Sequence, residues 1–237
     1  MDGYRPEDLS HRPDLVVVGN AVPRTNPDAL ECERLGLSYC SMPQAVNRFV
    51  ADGKQTLMVA GTHGKTTTAA LLAWILQSAG RDPSFVIGGL LQNFDSNYRL
   101  GRGRFFVIEA DEYDTAFFDK GPKFLHYTPA ATVLTGIEFD HADIYRDLDH
   151  VKSAFRSLVE GPARGGLLVA CDRDAAIDAV LAGVAVEVQR YGGEASSEWR
   201  LGPVATDPPW TTFEISRAGG WFGRFRTRLI GRHNLMN

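Results

Sequence analysis

Residues 61–68 read GTHGKTTT and lie between an apolar run, LMVA, and an amphipathic one, AALLAWIL. A phosphate needs backbone N–H groups at close range and a helix N-terminus aimed at its oxygens, and only glycine lets the chain fold that tightly. Gly61 and Gly64 meet that need. Thr62, His63 and Thr67 belong to the same turn, Lys65 is placed to reach the β and γ phosphates of ATP as a point charge, and the Thr66 hydroxyl is placed to ligate Mg²⁺. The usual phosphate loop has a glycine five residues before its second one, where this chain has Val59, so the loop is a shortened variant. A glycine-rich turn with an incidental lysine would have a similar composition, but strand, turn, lysine, threonine and helix in this order argue for phosphate binding.

Two further clusters follow apolar runs. In FFVIEADEYD, residues 105–114, a buried strand empties into four carboxylates. Ligands of open parallel sheets bind beyond the carboxyl ends of the strands, so Glu109 is expected beside the phosphate loop as a metal ligand. In EFDHAD, residues 138–143, His141 follows another apolar run, ATVLTGI. A single histidine is more often a bystander than a ligand; at the end of a third parallel strand it becomes a candidate for a second cation, oriented by Asp140 or Asp143.

These groups converge only if a parallel sheet carries them. From residue 56 the pattern is strand, glycine-containing turn, helix, strand, which predicts crossover helices between parallel strands. Strands are expected at 56–60, 85–87, 105–108, 132–135, 167–170 and 184–189, and helices at 65–79, 148–160 and 174–181. After residue 191, short β-like runs at 199–201, 211–215 and 221–230 predict a small antiparallel appendage. Ahead of all this, a strand at 14–19 and a helix opened by Asn26 and Pro27 read as part of a separate α/β unit. The expected fold is therefore α/β: a mostly parallel sheet with flanking helices, an antiparallel appendage and a partial N-terminal unit. The boundary is expected between Ala51 and Gln55.

Bulk properties remove other classes. Of 237 residues, 44% are hydrophobic and 23% charged, as in soluble folded domains. The formal charge of -4 is spread along the chain with no run of Lys or Arg, which argues against a nucleic acid partner. The longest apolar stretch, near residues 69–76, is too short to cross a bilayer, so no membrane partner and a cytoplasmic location are expected. Cys32, Cys40 and Cys171 lack the spacing of a zinc site or redox pair.

Taken together, GTHGKTTT, EADEYD, EFDHAD and the final GRHNLMN resemble the Mur ligase family, which builds the peptide stem of bacterial peptidoglycan. The resemblance implies that residues 51–237 form the central ATP-binding domain and that residues 1–50 are the end of a UDP-sugar-binding domain. The domain that covers ATP would lie outside the sequence, and the chain is expected to be inactive alone. It implies ATP and Mg²⁺ as cofactors, with Lys65 on the phosphates, Thr66 and Glu109 on the first cation, His141 on a second, and His233, Asn234 and Asn237 at the adenine end. The run EADEYDTAFFDKGPKFLHY resembles the branch that joins a murein tripeptide to UDP-N-acetylmuramate. Alternatives are the branch that adds free L-alanine, a non-catalytic nucleotide-binding paralogue, and a conventional phosphate-loop kinase, which has no need of the HNxxN element.

Overall fold

A computed structural model describes residues 4–172 and 174–236. The chain first builds a small parallel unit. β1 (Val16–Val18) leads into α1 (Pro27–Leu35), which starts where the Asn26 side chain accepts the Asp28 N–H at 2.8 Å and stops at a left-handed Gly36. β2 (Tyr39–Ser41) pairs with β1, and Ser41 forms a capping box with Gln44 at the start of α2 (Met42–Val46). The sequence reading holds for β1 and α1; β2 carries no pattern because three residues are too few for alternation.

The rest of the chain is organised around one sheet. Its elements are β3 (Gln55–Ala60), α3 (Lys65–Ser78), β4 (Ser84–Leu91), β5 (Ser96–Arg99) and β6 (Phe105–Glu109), then the hairpin β7 (Asp114–Ala116) and β8 (Asp119–Pro122). There follow β9 (Ala131–Leu134), α4 (Leu148–Glu160), β10 (Leu167–Cys171), α5 (Ala175–Leu181), β11 (Glu187–Gly192), β12 (Trp199–Asp207), β13 (Trp210–Arg217), β14 (Gly220–Thr227) and α6 (Arg232–Met236). Among the described residues ten strands pair in the order β14-β13-β12-β11-β10-β9-β3-β6-β4-β5. The six from β11 to β4 run parallel.

Both faces of those strands are covered, which is why they read as continuous apolar runs. Val59, Phe85, Ile87 and Val107 pack with Ala69 and Ala73 of α3. The alternate residues Met58, Phe106, Ile108 and Leu134 point to the other face and meet Phe155, Leu158 and Ile177 of α4 and α5. Asp147 caps α4 by accepting the His150 N–H at 2.8 Å, and Asp174 caps α5.

Two details refine the expected elements. The antiparallel strands after residue 191 are β12–β14, and they extend the central sheet through a short parallel contact of β12 with β11. β11 begins at Glu187 instead of residue 184, because a left-handed Gly183 leads into a turn in which Val184 and Val186 pack on the core without joining the ladder. No described helix is long and apolar enough to cross a membrane.

Phe155 is fully buried between the helical layer and the sheet, with its ring 5.3 Å from that of Phe124. Phe155→Ala is expected to lower unfolding free energy by about 3–5 kcal/mol, measured as a lower urea midpoint at unchanged slope.

Candidate active site

β3 lies between β6 and β9, and the register of the two ladders decides what meets its end. Val59 pairs with Glu109 and Ala60 with Leu134, so the loops after all three strands start at the same level. The chain reverses its direction across the sheet here, since β6 and β9 lie on opposite sides of β3. That is the crevice where open parallel sheets take their ligands.

The glycine turn is held against the β9 loop. Gly61 has φ 132°, and a Cβ there would lie 2.3 Å from Thr135 Oγ1 and 2.9 Å from the Gly136 carbonyl. Thr62 N–H donates to Gly136 O at 2.8 Å, and the Thr62 hydroxyl accepts the Glu138 N–H at 2.9 Å. Thr62 therefore fastens the turn to the neighbouring loop. Gly64, at φ 81°, launches α3, whose first residues are Lys65, Thr66 and Thr67. His63 points outward, with Glu138 3.7 Å from its Nε2.

The four central expectations from sequence come together. The Thr66 hydroxyl donates to Glu109 Oε1 at 2.8 Å, and Gly88 N–H donates to Glu109 Oε2 at 2.7 Å. A side chain at position 88 would lie 3.1 Å from that carboxylate, so glycine leaves the space that Glu109 occupies. Lys65 and His141 meet through a residue whose role the sequence did not single out: Glu112, whose side chain is 2% exposed, lies 2.9 Å from Lys65 Nζ and 3.4 Å from His141 Nε2. The cluster of four carboxylates was legible, but which one turns inward depends on how the chain leaves β6.

The expected orienting partner of His141 is also corrected. Tyr113 Oη lies 2.6 Å from Nδ1, whereas Asp140 lies 4.0 Å from it and accepts the His141 backbone N–H at 2.7 Å. That N–H holds the Asp140 carboxyl below the usual carboxylate range. Burial, reinforced by the carboxylates of Asp143, Asp111, Asp140 and Glu112, pushes the Tyr113 phenol above its ordinary value, so it stays protonated. The consistent assignment is a Tyr113 O–H donating to Nδ1 and an Nε2–H facing Glu112. His141 itself adopts a left-handed φ of 56°, held by Ile144 and Tyr145 N–H groups that both donate to its carbonyl.

Two open spaces border this network. One, of about 370 Å³, lies between the N-terminal unit and the sheet and is lined by Asn20, Met42, Gly88, Asn97, Glu109 and Lys123. The other, of about 720 Å³, starts at Thr66 and Thr67 and runs between Trp74 of α3 and Trp210, on whose ring Arg226 and Arg228 lie at 4.4 and 5.4 Å.

With this geometry the comparisons are decisive: the Mur ligase middle domain family matches residues 59–237. The chain belongs to the Mur ligase family. It is 40% identical over its whole length to the UDP-N-acetylmuramate--L-alanyl-gamma-D-glutamyl-meso-2,6-diaminoheptandioate ligase of Escherichia coli, covering 51% of that protein. It is 33% identical, also over its whole length, to the UDP-N-acetylmuramate--L-alanine ligase of Myxococcus xanthus, covering 48% of it. The solved UDP-N-acetylmuramate:L-alanyl-gamma-D-glutamyl-meso-diaminopimelate ligase from Neisseria meningitides superposes with a TM-score of 0.91 at 40% identity, covering all of this chain and 75% of that one. The chain thus spans about half the length of the curated relatives it matches.

One element of this Mur ligase domain stays apart from the rest. Asn234 donates its side-chain amide to Ile230 O at 2.7 Å, and Leu235 and Met236 border the same open space as Tyr191 and Gly192 at the carboxyl end of β11. That end lies three strand spacings from β3, roughly 14 Å, and among the described residues no hydrogen bond or ion pair joins His233 or Asn234 to the Lys65 loop. Asn237 lies outside the described residues.

Gly61→Ala is expected to destabilise the domain by about 1–3 kcal/mol, because the new methyl meets the β9 loop in a backbone conformation that side chains avoid. Urea unfolding with an unchanged midpoint would contradict this docking of the turn.

Proposed function

We propose that this chain is the nucleotide-binding part of an ATP-dependent ligase that joins L-alanyl-γ-D-glutamyl-meso-diaminopimelate to UDP-N-acetylmuramate. The observation that carries it is the Thr66–Glu109 pair beside Lys65 on the glycine turn: a hydroxyl, a carboxylate and an ammonium gathered where a triphosphate would lie. The tripeptide is favoured over free L-alanine by the identity to the Escherichia coli enzyme, 40% over the whole chain, against 32–38% for alanine-adding relatives.

The residues fit Mg²⁺. Oxygen donors from Thr66 and Glu109 suit a hard cation, and the bare Gly88 leaves room for the carboxylate. Among the described residues no three His, Cys, Asp or Glu side chains converge on one point, so the protein would supply part of a coordination shell and the phosphates and water the rest. His141 would face a second cation. Bound there, Mg²⁺ would neutralise charge on the transferring phosphoryl group.

The chain's own residues do the remaining work. A carboxylate is a poor electrophile, so the lactyl carboxylate of UDP-N-acetylmuramate first attacks the γ phosphorus of ATP, giving an acyl phosphate and ADP. The amine of the tripeptide then attacks the acyl carbon, inorganic phosphate leaves, and the amine gives up a proton. Lys65 positions the β and γ phosphates and offsets their charge through both steps. The space beside Glu109 and Lys123 offers room for the sugar acid next to the phosphate site, and the larger cleft beyond Thr67 offers room for the nucleoside.

The test is ADP release by the full-length protein carrying this chain, given ATP, UDP-N-acetylmuramate and either the tripeptide or L-alanine. ADP release dependent on the tripeptide is expected, with Lys65→Met lowering kcat at least about 100-fold. Turnover with L-alanine alone would move the assignment to the other branch, and release without any amine would point to a kinase or ATPase.

A further inference from the structure

The Lys65 ammonium has three N–H donors, and in this structure all are engaged. Its Nζ lies 2.7 Å from Gly61 O, 3.2 Å from Thr62 O, and 2.9 and 3.2 Å from the two oxygens of Glu112. The first two acceptors belong to the glycine turn, so the ammonium is folded back across the turn that would hold phosphate oxygens. The third lies on the loop after β6 and is almost fully buried, and its backbone carbonyl accepts the Tyr145 hydroxyl at 2.8 Å. Glu112 therefore has little freedom to follow Lys65 if the lysine moves. Its Oε1, however, already faces His141 Nε2, which Tyr113 holds from the other side of the ring.

We propose that Glu112 is a positioning residue that holds Lys65 retracted in the nucleotide-free domain and keeps His141 as its partner when a triphosphate takes the ammonium before any cation binds. The inference rests on the nucleotide-binding reading above. It assigns Glu112 to neither cation. A buried carboxylate needs a charged or hydrogen-bonding partner, and this one has both: the Lys65 ammonium at the start of α3 and the His141 Nε2–H on the loop after β9. Filling the phosphate turn would thus be felt at His141 through one carboxylate, without movement of the sheet. The neighbouring Asp111 has no such role, since its carboxylate pairs with Lys123 at 2.9 Å.

The experiment is calorimetric titration of the 237-residue chain with ATP in EDTA, so that no divalent cation contributes. Glu112→Gln keeps the shape and one acceptor but removes the charge, and is expected to bind ATP about tenfold more tightly than the wild type. Asp111→Asn removes a charge of the same sign from the same cluster and is expected to leave the affinity within about twofold. Equal tightening by both variants would reduce the effect to a general field and overturn the proposal. Unchanged metal-free binding by Glu112→Gln, with weaker binding once Mg²⁺ is added, would also overturn it and make Glu112 a cation ligand.

A melting experiment reads the same contact from the lysine side and does not need the glutamine variant to fold. Lys65→Ala removes the nearer partner of the buried carboxylate, leaving the 3.4 Å contact with His141, and is expected to lower the nucleotide-free Tm by at least about 5 °C. A Tm within about 1 °C of wild type would show the contact to be absent. If the wild-type chain takes up no ATP in the calorimeter, the nucleotide reading fails, while the melting comparison still decides whether Glu112 holds Lys65.

Discussion

Strand β3 is held between β6 and β9 by in-register parallel ladders, and the site exists because of that pairing. Side-chain direction in a strand alternates with every residue, so a slip by one position on either side would turn Glu109 away from the glycine turn or lower the His141 loop beneath it. Register is enforced from below: Met58, Phe106 and Leu134 face one buried layer while Val59 and Val107 face the other, and the close packing of side chains of different size in each layer favours one alignment. The apolar core is thus the device that aligns the polar loops.

Above the sheet, the charges are arranged as a short alternating row. Lys123 pairs with Asp111, Lys65 with Glu112, and His141 stands between Glu112 and the Tyr113 hydroxyl. Each acidic group that leaves β6 is matched by a base or a hydroxyl: Glu109 by Thr66, Asp111 by Lys123, Glu112 by Lys65 and Asp114 by Lys120. Such matching offsets the mutual repulsion of carboxylates crowded at one strand end. It also explains why the loop after β6 runs at once into the β7–β8 hairpin: Phe117 and Phe118 of that hairpin stack near Tyr39 of the N-terminal unit, at 6.3 and 5.0 Å, and so fix where the acidic segment ends.

Much of this was legible in the sequence, for reasons that differ by element. The buried strands announce themselves as apolar runs because both faces are covered, and α1, α4 and α5 because Asn26, Asp147 and Asp174 stand at their starts. Lys65, Thr66 and Glu109 are fixed by position relative to a strand end, which the sequence specifies. Glu112 and Tyr113 were not read as they stand because their directions come from the turn after Glu109, where no periodicity operates. The short strands β2, β5, β7 and β8 are equally silent, being too brief or too polar to show alternation. His233 and Asn234 are a different case: their motif is plain, yet a nucleotide rather than a protein contact would have to join them to the loop across roughly three strands.

Glu109 carries a thermodynamic consequence of its own. A glutamate on a surface samples many rotamers, and freezing it on arrival of a ligand would cost up to about 1.5–2 kcal/mol. Here one oxygen is anchored by a main-chain amide from β4 and the other by the threonine hydroxyl, so that disorder is surrendered while the domain folds. What would remain for the proposed cation is electrostatic attraction with almost no entropy of ordering set against it, and the residue that makes this possible, Gly88, has no side chain at all.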